Sequence, residues 1–221
     1  SGWLLVSACC AGRAHALSVE GGARYELKSL MQQHLEAARA ARLGEALDEA
    51  ELVRLHELSV KSARELLATE GYFSPEVEGA MTRAGDDWVL RYTVKPGPRT
   101  RVRALKFEFA GAAADDARMR ALVERAFSLK PGMPFRQADW DAAKTAALRP
   151  LLAVRYPAAR LAASEARIDP EAQAAELFIT VDSGPAFFYG PHLVSGTQRY
   201  PESVVRHLSP LKEGKPYRQQ E

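Results

Sequence analysis

The sequence LKPGMPFRQ at residues 129–137 returns as LKEGKPYRQ at residues 211–219. Seven of the nine positions carry the same residue or an aromatic swap. Its residue types describe a helix exit, a tight turn and a new helix start. Gly132 and Gly214 can take the positive φ of a helix exit. Pro134 and Pro216 prevent the old helix from continuing. Phe135 and Tyr217 are apolar plugs, and the Arg-Gln that follows each can open the next helix.

A turn copied this closely implies a duplicated unit, and other landmarks keep the spacing. The turns lie 82 positions apart, 129 against 211. Gly97-Pro98 and Gly184-Pro185 are 87 apart, Gly111 and Gly196 are 85 apart, and Tyr72 and Tyr156 are 84 apart. A repeat of this length is too long for a solenoid and suits a small domain.

The full sequence has 221 residues, 47% hydrophobic and 26% charged, an ordinary globular balance. A net charge of +2 gives no nucleic-acid footprint. Cys9 and Cys10 are the two cysteines, adjacent in sequence, so no disulfide staples the body. No run approaches the ~18 apolar residues of a membrane helix.

The first residues differ from the rest. Residues 3–11 are an apolar run, followed by Ala14-His15-Ala16, which fits the tail of a secretory signal peptide. Residues 1–16 are therefore expected to be a signal-peptide remnant. The absence of a starting Met suggests a truncated or engineered start. Val6-Ser7-Ala8-Cys9 also loosely fits a bacterial lipobox, and the plain alternative is an ordinary first strand or helix.

Residues 17–20 alternate like a short strand. Residues 25–42 carry apolar positions at three-and-four spacing, as an amphipathic helix does. Asp48 and Glu51 are a helix-start signal for a second helix, which Glu70-Gly71 ends. Residues 73–81 and 88–95 form a hairpin around Gly85-Asp86-Asp87. The order is β-α-α-β-β, closed by Pro96, Gly97 and Pro98. The next unit repeats it: a strand at 101–109, helices at 115–127 and after the turn, and a hairpin of 158–168 and 174–181, closed by Gly184 and Pro185. Pro150 should kink the second of these helices or mark its last turn. A third unit begins with a strand at 187–194 and a helix at 201–208. The expected fold is α+β: two units, 17–97 and 98–184, each a three-stranded sheet covered by two helices, then part of a third over 185–221.

Catalytic signatures are absent from the sequence: it has no GxSxG elbow, HExxH, P-loop or Rossmann fingerprint. His15, His34, His56, His192 and His207 lack metal-ligand spacing. Asp86-Asp87 and Asp115-Asp116 fall at a turn and a helix start, where acids have local uses. The sequence nominates no catalytic, cofactor-binding or metal-binding residue.

The segments Glu70-Gly71-Tyr72-Phe73, Val94-Lys95-Pro96-Gly97-Pro98, Val181-Asp182-Ser183-Gly184-Pro185 and LKEGKPYRQ resemble POTRA domains of the Gram-negative outer-membrane assembly superfamily, most closely the TamA branch. The likeness runs from about residue 17 to the end. It departs at Val154-Arg155-Tyr156-Pro157, where the helix exit lacks the expected glycine, and in having no barrel. The resemblance implies a periplasmic, non-enzymatic scaffold at the outer membrane, serving outer-membrane or autotransporter clients, with an inner-membrane TamB-like partner. It also implies polypeptide binding by β-augmentation at the first hairpin strand of each unit. The implied edge residues are Phe73, Pro75, Val77, Gly79 and Met81, and Ala159, Leu161, Ala163 and Ile168. The POTRA region of another barrel-assembly or two-partner-secretion protein, and an envelope enzyme of unfamiliar type, are the other readings. Phe187, Phe188, Leu193 and Val194 of the incomplete unit are expected to be poorly covered, and to favour a dimer through this tail.

Overall fold

A computed structural model of the chain describes residues 4–10, 25–43, 48–85, 87–195 and 202–219. Its residues divide into two compact units. The first comprises Ser1–Arg101 with Pro134–Gln137 and Ile168–Ala174, and the second comprises the remainder, including residues 175–221.

The first unit holds β1 (Leu4–Cys10), α1 (Tyr25–His34), α2 (Glu36–Leu43), α3 (Glu49–Thr69), β2 (Glu76–Ala84) and β3 (Asp87–Lys95). Its sheet is antiparallel, in the order β1-β3-β2. β3 is central because β1 and β2 pair with it on its two edges, and its alternation buries Leu90, Tyr92 and Val94 while Arg91 is exposed. α3 starts where the sequence signals it. Asp48 Oδ1 accepts from the Glu51 N–H at 2.8 Å, and Glu51 then turns to Arg54, so the cap is one-sided. Leu52, Leu55, Ser59, Ala63 and Leu67 bury one stripe. Ser59 is polar yet fully buried because its hydroxyl accepts from the Ala37 N–H at 3.0 Å, which ties α2 to α3. Leu27, Met31, Leu35 and Ala38 pack with Leu67, Val77, Leu90 and Tyr92 in the core.

Two expectations change here. The helix over 25–42 is interrupted at Leu35. The bonds from Leu35 N to Met31 O and from Arg39 N to Leu35 O, both 2.9 Å, carry the turn across the break. The first strand of the sheet is Leu4–Cys10, from the stretch read as an export signal, paired in register from Leu4 against Val94 to Cys10 against Trp88. Residues 17–20, expected as that strand, lie outside the described residues, as does Asp86 of the hairpin turn.

The second sheet has the order β4-β6-β5, from β4 (Arg101–Ala110), β5 (Arg160–Asp169) and β6 (Ala174–Asp182), with α4 (Ala117–Ala126) and α5 (Gln137–Ala153) between β4 and β5. This is the β-α-α-β-β order. Asp116 caps α4 by accepting from the Met119 N–H at 3.0 Å, so its place at the helix start has a local cause. Phe127 anchors this core, edge-on to Phe107 (5.4 Å between centroids) and Trp140 (6.0 Å). Pro150 sits in the last turn of α5. Residues 187–194 are not a strand. Phe188 makes a single bridge to Pro216, and α6 (Glu202–Leu208) follows.

Candidate functional site

β2 and β5 each end a sheet, with one strand neighbour among the described residues. An edge strand presents a row of backbone donors and acceptors to whatever approaches. On β2 the core-facing column is Val77, Gly79 and Met81, with Val77 buried and Met81 half-buried. Gly79 lacks a side chain for a steric reason. A β-carbon there would overlap Cε1 of His56 and stand 2.9 Å from both His56 Nε2 and Val60 Cγ2. α3 thus lays His56 directly on the edge strand. The imidazole is held by Tyr92, stacked at 5.3 Å, with Nδ1 at 3.2 Å from the Tyr92 hydroxyl. Further along α3, Arg64 Nη2 donates to the carbonyl oxygen of Val77 at 3.2 Å. Phe73 and Pro75 fall short of this edge, because β2 begins at Glu76. Phe73 instead packs on Phe135, 6.0 Å between centroids.

On β5, Ala159 is buried just ahead of the strand, Leu161 and Ile168 are half-buried, and Ala163 is exposed. Arg160 pairs with Asp182 at 2.8 Å. Glu165 accepts from Arg167 Nε at 2.8 Å and Nη2 at 3.0 Å, which holds the Glu165 carboxyl below its usual range. Arg167 also covers the ring of Phe178 at 4.4 Å, and Lys106 lies 5.2 Å from the same ring. These side chains border an open groove of about 360 Å³ on the sheet face.

The residues that close each repeat, expected from the sequence as joints between units, form sharp turns. Pro96 is buried, Pro98 is exposed, and Gly97 between them has φ +73°. Gly184 has φ +63°, its N–H donates to Asp182 Oδ1 at 3.0 Å, and its carbonyl accepts from the Ala112 N–H at 3.0 Å. Pro185 is exposed beside it.

A repeated backbone relay was not visible in sequence. In the first unit Thr100 N–H donates to Gly71 O (2.8 Å), and Phe135 N–H donates to Thr100 O (2.9 Å). In the second unit Phe187 N–H donates to Arg155 O (2.7 Å), and Tyr217 N–H donates to Phe187 O (3.0 Å). The three pairs are offset by 84, 87 and 82 residues, the spacings of the sequence repeat. Around the first relay Glu70 takes both Nε (2.9 Å) and Nη2 (3.0 Å) of Arg136, while Arg99 Nε donates to Glu70 O at 2.9 Å. The repeated Arg136 and Arg218 of the two nine-residue turns were the available signal for this partnership, yet the position of Glu70 is occupied by Val154 in the second copy.

Among the described residues, no three His, Cys, Asp or Glu side chains converge as metal ligands, and no helix is long and apolar enough to cross a membrane. What the two edges offer chemically is backbone pairing.

Residues 16–96 match the family model described as POTRA domain, TamA domain 1. No curated protein matches the chain in sequence. Similar solved structures include POTRA3–5 of Haemophilus influenzae BamA, at 18% identity and TM-score 0.40, covering 74% of this chain and 64% of that one. BamA of Haemophilus ducreyi lacking POTRA domains 1–3 matches at 18% identity and TM-score 0.39, over 74% of this chain and 27% of that one. POTRA1–3 of the periplasmic domain of Omp85 from Anabaena matches at 15% identity and TM-score 0.31, over 66% and 56%. The chain thus spans less than two thirds of each of these structures.

Proposed function

We propose that this chain is the periplasmic scaffold of a TamA-type outer-membrane assembly factor, and that it holds extended segments of client polypeptides by β-augmentation. The observation carrying the reading is the position of β2 and β5 at the ends of their sheets. Backbone pairing contributes roughly 1 kcal/mol per hydrogen bond and tolerates many sequences, which suits a general assembly factor. The units run over 17–97 and 98–184, with a partial third over 185–221. Residues 1–16 act in export. In the whole protein a barrel anchors the scaffold at the outer membrane, autotransporter subunits are among its clients, and a TamB-like protein meets it from the inner membrane. No covalent chemistry is assigned to it. The exposed Phe187, Phe188, Leu193 and Leu208 support a second role, association of two copies through residues 187–219.

Proline on the edge strands tests the main reading, since it removes a backbone donor while sparing the helices. Val77→Pro is expected to weaken binding of an extended peptide to the first unit, and Leu161→Pro to the second. Unchanged binding in both variants, each shown folded by circular dichroism, would sink the edge mechanism.

A further inference from the structure

One acceptor of the β2 edge is already occupied. Arg64 reaches from α3 to the carbonyl oxygen of Val77, at 3.2 Å. In an antiparallel strand the N–H and C=O of one residue point the same way, toward the partner strand or away from it. We read the Val77 carbonyl, reached by a helix side chain, as one of the set facing the open edge, and Gly79 and Met81 share its direction. Arg64 is exposed, and no carboxylate pairs with it among the described residues. Its neighbour on α3, Lys61, lies 3.8 Å from Glu65. The guanidinium has five N–H donors in a fixed fork, so capping one carbonyl leaves most of them unused.

We infer that Arg64 both gates the β2 edge and reads the strand that replaces it, selecting extended segments with a carboxylate next to the residue that pairs at Val77. The inference rests on the reading of β2 as a polypeptide-binding edge. An incoming strand donates its own N–H to Val77 O and displaces the guanidinium. Arg64 remains tethered to α3 beside the new strand, where a carboxylate accepts two parallel bonds from its fork. A strand without an acid displaces the cap and gives nothing in return. A strand with a lysine there places two cations together.

The test uses short, otherwise uncharged strand-forming peptides in which a single Glu is moved along the sequence. Binding is measured by fluorescence anisotropy at low salt. The unmodified chain is expected to prefer one Glu position over the all-Gln peptide by about tenfold, the yield of one solvent-screened Arg–carboxylate pair. Arg64→Ala should abolish that preference and bind the all-Gln peptide at least as tightly as the unmodified chain. Arg64→Lys should keep part of the preference. Persistence of the preference in Arg64→Ala, or its absence in an unmodified chain that does bind, would overturn the role of Arg64 alone. Failure of every peptide to bind both proteins, with the first unit folded, would instead overturn the edge reading and this inference with it.

Discussion

Gly71 lies so close to Phe135 that a β-carbon on Gly71 would overlap the Phe135 carbonyl oxygen. Gly71 also has φ +90° and ends α3 with paired bonds, Gly71 N–H to Ala68 O (3.0 Å) and Tyr72 N–H to Leu67 O (2.9 Å). Gly71→Ala is therefore expected to cost at least about 2 kcal/mol, from the left-handed backbone and the overlap together. The equivalent position in the second unit is Arg155, with φ +68°. There the counterpart of the Gly71 N–H to Ala68 O bond is replaced by Arg155 N–H to Tyr217 O at 2.8 Å, and the side chain lies 5.8 Å from the Phe188 ring. Arg155→Gly relieves the backbone but loses that contact and frees the unfolded chain, so its change should stay below about 1 kcal/mol. Urea denaturation of the two variants checks the contrast.

Glu70 is 20% exposed and receives Arg136 through two bonds, with Arg99 at 3.6 Å. Glu70→Ala leaves two guanidinium groups without their shared acceptor and is expected to cost about 1–3 kcal/mol. Molar salt should narrow the gap between variant and parent. An equal gap at low and high salt would assign the loss to packing rather than charge.

Glu51 accepts a hydrogen bond from Arg54, and this holds its carboxyl below the usual carboxylate range. A depressed folded value stabilises above the unfolded carboxylate pKa, and the contribution is lost as pH falls through the folded value. Both groups are exposed, so the effect on stability is small. Arg54→Ala should move the Glu51 titration upward, as read from its side-chain carboxyl carbon by NMR. An unmoved titration would mean that the hydrogen bond is absent in solution.

Phe187 and Phe188 are 43% and 54% exposed. If residues 187–219 join two copies, sedimentation velocity at high concentration should report a dimer, and replacing both phenylalanines with serine should return a monomer. A monomer before substitution would remove this second role and leave the edges untouched.

Much of the architecture was legible because the repeat fixed it. The same turn at Gly132 and Gly214 implied the same surroundings, and the capping acids Asp48 and Asp116 marked helix starts correctly. The first strand was less readable. An apolar run beside Ala-x-Ala looks alike whether it is an export signal or a strand, and residues 4–10 are seen paired with β3 only in the structure. The repeat misled at 187–194, where a strand was expected and the described residues show only the bridge from Phe188 to Pro216. The resemblance puts Phe73 on the edge strand, but β2 begins at Glu76 and Phe73 packs on Phe135 ahead of it. Arg64, Glu70 and Arg155 act through backbone carbonyls and an uncommon φ, neither of which a residue type announces. At the edges themselves, sequence could name the strand but not that His56 and Arg64 reach onto it from a helix.

The central claim, that extended polypeptide pairs with these strand edges, is tested most directly by amide NMR of the labelled chain titrated with an extended client-derived peptide. The account expects the largest shifts and slowed exchange at Val77, Gly79 and Met81, or at Leu161 and Ala163, with intermolecular contacts between backbone protons. Shifts confined to the Phe178 sheet face or to residues 187–219, with the edge amides unchanged, would contradict it.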